Sequence, residues 1–300
     1  MRLKYLVQDP PPLLVFEISR QGVAGVRRNA KTFETEARAY RALDPGVVEP
    51  AAAKHSVLKP EQLDEAVSQV RAELGPSKRS DASLIVPDAS ARLTVLDFNN
   101  FPGDQKERLQ LIRFRLKKTL PFDAESASIA YQVHKAGSGS LAVVAATLPT
   151  VIGQYEAPLS KVGLEPGFVS LSTLSAINLV PDGGMTLFVK LASRSMTIVA
   201  LSGGGVRLVR AIELPADMDL AAEAAIDEMV GDLFPTFIFI ADNLGAPVSK
   251  VVLCGFGDLL PAALRLLPVE LGCEVEPLRS PQGELVESQD AGIRGYLSVN

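Results

Sequence analysis

The sequence predicts an α/β chain of two related halves, with a small α+β unit inserted in the first. Three observations predict it. Residues 13–26 (LLVFEISRQGVAGV) read as strand, polar turn, strand, and residues 187–199 (LFVKLASRSMTIV) repeat that shape far along the chain. Between them lies a self-contained ββαββα pattern. Helical periodicity then follows the strands in each half, at 60–74 and from Asp219 on.

In order, residues 33–40 follow the first hairpin, and a polar Pro/Ala stretch runs from Asp44 to Ala53. A helix starts at Pro60, carries Leu63, Ala66, Val67, Val70 and Leu74 at helical spacing, and stops at Gly75-Pro76. Ser77 to Asp81 is a short charged linker, and a subdomain boundary is expected there. Residues 84–87 and 93–98 read as a strand pair split by a turn. Asp104 then caps a helix with Glu107 three residues on, in the manner of a capping box. Leu109, Ile112 and Leu116 form its buried stripe, and Leu111 and Phe114 widen it. Strands are expected at 129–133 and 141–147 around Gly137-Ser138-Gly139-Ser140, and a helix from Pro149 to Gly163 closes the insert. Residues 168–171 read as a strand and 172–179 as a helix. Asp182-Gly183-Gly184 marks the second large boundary. A meander follows at 185–191, 196–201 and 206–214. Residues 234–240 have strand propensity, but turn signals are missing on both sides, so a helix from Asp219 is read to continue through a kink at Pro235. The end holds a strand at 250–254, a glycine turn, a helix at 259–267 and a strand at 273–277. The expected domains are 1–82 with 167–182, the insert at 83–166, and 183–300, with the C-terminal segment packing back on the first.

Composition narrows the function. A chain of 300 residues, 47% hydrophobic and 22% charged, is long enough for a sizeable core. A net charge of −5 excludes a dedicated nucleic-acid surface, which needs a basic face. Two cysteines, Cys254 and Cys273, suit a reducing compartment better than a disulfide framework. No apolar run approaches the roughly 20 residues that span a bilayer, and the first residues lack a signal-peptide core. The expectation is a cytoplasmic protein whose membrane contact is peripheral. His55 and His134 stand alone, so no metal site is read. The helix at 104–120 collects Lys106, Arg108, Arg113, Arg115, Lys117 and Lys118. They read either as a solvated face or as a contact for an anionic membrane surface or an acidic partner.

The two hairpins resemble the duplicated phosphate loops of the actin-like (ribonuclease H-like) ATPase superfamily. Three further segments are similar to the type IV pilus assembly protein PilM family, which is related to FtsA and to the cytoplasmic part of GspL. They are Ser83-Leu84-Ile85-Val86-Pro87 with Leu116 to Phe122, then Val162-Gly163-Leu164-Glu165-Pro166, then Lys250 to Pro261. The resemblance implies duplicated actin-like domains with an insert like the 1C subdomain of FtsA. In that superfamily each hairpin carries an Asp that organises Mg²⁺ and a Gly that admits phosphate. Here those positions hold Glu17 and Ser19, and then Lys190 and Ala192. Gly255 and Gly257 match the adenosine turn, with Phe256 placing a ring where backbone would approach the nucleotide.

A vestigial nucleotide cleft is therefore expected at Glu17, Ser19, Lys190, Ser193, Gly255 and Gly257, with no catalytic residues and no cofactor, neither ATP nor Mg²⁺. Lys190 is read as a solvent-facing strand-end lysine, with attraction of an anion as the other reading. The resemblance implies a non-catalytic scaffold of a type IV pilus or related secretion platform. Its partners would be the cytoplasmic N-terminal peptide of a PilN-like bitopic inner-membrane protein, pilus motor ATPases, and further copies of the chain in an oligomer or ring. The peptide groove is expected along Val86, Leu96, Phe98, Leu109, Ile112 and Arg113. Two alternatives remain: a divergent ATPase that uses Glu17 for Mg²⁺, and the cytoplasmic domain of a GspL-like protein, which would need a membrane helix after the actin-like region.

Overall fold

The computed structural model describes residues 10–299 apart from Ser138, Ala216 and Ala221. The reading of the first seven residues and the Ser138 position of the insert's turn lie outside the described residues. The chain divides into two compact units, one made of residues 1–90, 149–178 and 289–300, the other of 91–148 and 179–288.

The first unit is built on a five-stranded mixed sheet. Strand β1 (Leu14–Ile18) forms an antiparallel hairpin with β2 (Gly22–Arg28), and β2 pairs in turn with β3 (Thr35–Ala42). On the other side, β1 runs parallel to β4 (Asp81–Val86), and β4 parallel to β8 (Glu165–Leu171), giving the order β3-β2-β1-β4-β8. Every residue of β1 is buried, as expected of a central strand covered on both faces. Helix α1 (Pro60–Glu73) covers one face: a Cβ on Gly25 would collide with Val70 and Leu74 of that helix segment. Helix α7 (Ala291–Val299) covers the other, where Ile293 and Tyr296 pack on Val15, Ala24, Val26 and Ile85. Helix α3 (Pro149–Lys161) and the short α4 (Ser172–Ala176) complete the unit.

The second unit holds two sheets. The meander β9 (Thr186–Ala192), β10 (Ser195–Ser202) and β11 (Gly205–Glu213) is antiparallel, and β9 continues in parallel to β12 (Lys250–Cys254) and then β13 (Glu274–Pro277). Helices α5 (Ala224–Asn243) and α6 (Leu260–Leu271) cover one face over Leu187, Val189, Leu191, Met196, Ile198, Val251 and Leu253. The segment 234–240 is helical and lies inside α5, with Pro235 mid-helix. A three-stranded antiparallel sheet, in the order β5 (Arg92–Phe98), β7 (Gly139–Thr147), β6 (Ser128–Ala136), carries α2 (Gln105–Leu116) on Phe98, Ala142, Val144 and Ala146. Asp104 accepts from the Lys106 and Glu107 amides and starts α2 as its sequence suggests.

The insert is smaller than the sequence suggests. Strand β4 does not pair with β5. From Ala82 to Val86 it is buried between β1 and β8, whereas β5 is half exposed and pairs with β7. A fully buried run belongs in a parallel sheet, and a half-exposed one in a small antiparallel layer. The α+β body is accordingly 91–148, and α3 packs on α1 in the first unit.

Candidate functional site

The two hairpins that the sequence singles out are built alike but hold different chemistry. In the first, Glu17 points from β1 toward α7 and is 1% exposed. Its Oε2 accepts from the Ile293 amide at 2.9 Å, and its Oε1 from the Gly292 amide at 3.3 Å and from the Ser172 hydroxyl. The two amides lie in the first turn of α7, where backbone donors have no partner within the helix and the helix dipole favours an anion. Glu17 thus caps a helix whose residues follow it by more than 270 positions. Gly292 is required for the approach: a Cβ there would lie 2.8 Å from Glu17 Oε1 and 2.6 Å from Ile85 Cγ2. Ser19, at the position of the phosphate-loop glycine, turns its hydroxyl onto its own hairpin, accepting from the Gly22 amide at 3.1 Å and from Gln21 at 3.2 Å.

A second buried carboxylate stands nearby in the same unit. Asp88 accepts from the Thr173 amide at 2.7 Å and its hydroxyl at 2.6 Å at the start of α4. Glu17 and Asp88 therefore both serve helix starts. Both oxygens of Glu17 accept from donors within the first unit.

In the second hairpin the expectation for Lys190 is corrected. The residue is 2% exposed, not solvent-facing. It lies on the central strand β9, where its cross-strand neighbours Thr197 and Cys254 are also buried. Ser193 closes the β9–β10 turn with φ of 55°, a left-handed conformation that costs a non-glycine residue roughly 1 kcal/mol or more. The hydroxyl of Ser195 donates to the Ala192 carbonyl.

After β12, Gly255 has φ of 78°, and a Cβ there would lie 2.2 Å from the Leu191 carbonyl oxygen and 2.7 Å from the Ser288 Cβ. This glycine is demanded by packing within its own unit. Gly257 has φ of 48° and open space around it. Phe256 is 4% exposed and belongs to the core of α5 and α6, so its ring points into the protein rather than into a nucleotide path. Among the described residues no group of three or more His, Cys, Asp or Glu side chains is placed to hold a metal ion.

Of the residues read as a peptide groove, Val86 belongs to the first unit and the other five to the second. Val86 is wholly buried in β4 of the first unit. Phe98 and Ile112 are core of the small sheet, and Leu96 packs against them. Leu109 is half-buried. Arg113 is a staple: its guanidinium donates to the carbonyls of Ala124, of Glu125 at 3.1 Å and of Ala127 at 3.2 Å, tying down the segment after α2. Sequence reasoning missed α7 and its link to Glu17. The available signal was Ile293, Tyr296 and Leu297 at helical spacing beside two glycines.

No family model matches the chain, and no curated protein matches it in sequence. Solved structures do. A chain of a PilM–PilN type IV pilus biogenesis complex superposes with a TM-score of 0.76 at 18% identity, covering 97% of both chains. A Bacteroides thetaiotaomicron protein with an actin-like ATPase fold and unknown function gives 0.58 at 11% identity over 95% of each chain. The chain has the actin-like ATPase fold. The ethanolamine utilization protein EutJ from Carboxydothermus hydrogenoformans shares it more loosely, at 0.53 and 13% identity over 97% of this chain and 91% of that one. At these identities the likeness speaks for the actin-like architecture: two mixed sheets of like topology and a small antiparallel sheet. No helix among the described residues is long and apolar enough to cross a membrane.

Proposed function

We propose that this protein is a non-catalytic, actin-like scaffold of a type IV pilus or related secretion platform, working at the cytoplasmic side of the inner membrane. The observation that carries the reading is the use made of Glu17. A carboxylate that organises Mg²⁺ in an ATPase must face the cleft, whereas this one accepts two backbone amides and a hydroxyl inside its own unit. Ser19 is likewise committed to its turn, and Lys190 is buried. The shape match to a PilM–PilN complex over nearly the whole of both chains supports the choice of platform. The partner proposed on that basis is the short cytoplasmic segment of a PilN-like membrane protein, bound as a peptide.

The experiment is a thermal-shift titration of the whole protein with Mg-ATP, Mg-ADP, and a synthetic peptide of the cytoplasmic N-terminus of a PilN-like protein from the same organism. A ligand at 100 times its dissociation constant stabilises the folded state by roughly 2.7 kcal/mol. The expected result is a saturating shift with the peptide and none with millimolar nucleotide. A saturating shift with Mg-ATP overturns the non-catalytic reading, and no response to the peptide overturns the partner.

A further inference from the structure

The outer face of α5 carries an exposed apolar strip. Phe234, Ile238 and Phe239 are 49%, 54% and 45% exposed, with Pro235 and Ala241 exposed beside them. Together they present on the order of 300 Å², the size at which a surface patch tends to have a function. On the same side of the helix, Asp227 and Glu228 are exposed before the strip and Asp242 after it. From Glu228 to Asp242 the helical rise sets the acidic ends about 21 Å apart.

Helix α2 presents the complement. Phe114, expected from the sequence to widen the buried stripe of α2, is instead the most exposed aromatic residue among the described residues at 75%. Lys106 lies about two turns before it and Lys117 and Lys118 one turn after it, all exposed. These basic ends are about 18 Å apart. The arginines of the helix are occupied internally, Arg108 on the Pro102 carbonyl, Arg113 on three carbonyls and Arg115 on Asp97. The three lysines have no ion pair among the described residues. Glu107 is the one carboxylate within α2.

We infer that α2 of one copy docks on α5 of a second copy, with Phe114 seated on the Phe234–Ile238–Phe239 strip and the lysines over the acidic ends. Charge selects this pairing. Two α5 helices laid together, parallel or antiparallel, bring acidic end to acidic end, and two α2 helices bring basic to basic. Only α2 on α5 sets opposite charges together at both ends with apolar surface between. Both halves of the contact lie on the one chain, which is why the occupant is another copy. A contact between two different patches is heterologous, so each copy retains one unused half unless the pair closes reciprocally.

Sedimentation of the whole protein from low to high micromolar concentration tests this, using Phe114→Asp, Ile238→Asp and an equimolar mixture of the two. Both positions are exposed, and thermal melts that match the wild type establish that the variants are folded. The wild type is expected to gain mass with concentration, and more weakly as salt is raised and the charges are screened. Each variant alone is expected to stay monomeric. The mixture is expected to give a dimer, because one variant keeps α5 and the other keeps α2. A monomeric wild type overturns the proposal, including one that binds anionic vesicles through Phe114, which would make a lipid surface the occupant. Self-association of either variant alone overturns it, as does a mixture that stays monomeric.

Discussion

Replacing Glu17 by Gln separates a structural carboxylate from a functional one. Gln keeps one acceptor oxygen. Turned to the Oε1 position, it retains the Ser172 hydroxyl and the Gly292 amide as neutral hydrogen bonds and sets its own NH₂ against the Ile293 amide. One charge-assisted bond is lost, worth roughly 1.5–3 kcal/mol. The favourable interaction of a buried anion with a helix start, up to about 2 kcal/mol, goes with it. Relief from keeping a charge at 1% exposure offsets part of both. The net expectation is a loss of about 2–3 kcal/mol, or on the order of 5–10 °C in the melting of a unit this size. Chemical denaturation reads the free energy, and hydrogen exchange at the Gly292 and Ile293 amides reads the fraying of α7. Glu17→Asp restores the residue type of an active phosphate loop but retracts the carboxylate by one methylene, and is expected to destabilise as well. An unchanged or raised stability for Glu17→Gln would refute the reasoning. That is the behaviour of a carboxylate held for function at the expense of the fold.

Three further outcomes follow from the packing. Gly295→Ala would set a Cβ 2.0 Å from the Ser175 carbonyl oxygen, forcing α7 off α4; a loss of about 2–3 kcal/mol by denaturant titration is expected, typical of overpacking. Arg113→Ala removes the donor to three carbonyls after α2 and is expected to cost about 1–2 kcal/mol, with Lys an incomplete substitute because it lacks the planar fork. A peptide-contact role for Arg113 would instead leave the melt unchanged. Burial holds the Cys273 thiol above its ordinary pKa, so less thiolate is present at neutral pH. Its alkylation is expected to be slower than that of a free thiol at pH 7 and to accelerate at higher pH than a free thiol does. Cys254, at 1% exposure, is expected to react only on unfolding.

Local pattern carried most of the elements. The hairpins at 14–28 and 186–202, the Asp104 cap and the proline-bearing α5 are all set by neighbours in sequence. The strand at β4 was legible but its partners were not, because a parallel strand takes them from distant segments. Burial of Lys190 was hidden too: nothing within β9 says what will cover the sheet face from which its side chain projects. That position 17 holds Glu where the phosphate loops it resembles carry Asp was visible, but not the contacts that Glu17 makes. Those required α7, whose amides arrive from the other end of the sequence.

The Glu17 cap also orders events in time. The first unit is assembled from residues 1–90, 149–178 and 289–300. Its central strand is thus synthesised long before the helix that satisfies its buried carboxylate, more than 270 residues further on. Closing so long a loop is entropically slow, and contacts of such separation delay folding. On the ribosome, the first sheet must wait with one apolar face and one charge uncovered while 91–148 and 179–288 of the second unit emerge and collapse. Completion of the first unit therefore reports that residues through α7 have been made. A chain released before that point carries an uncapped Glu17 beneath an open sheet face, the kind of surface that chaperones and proteases recognise.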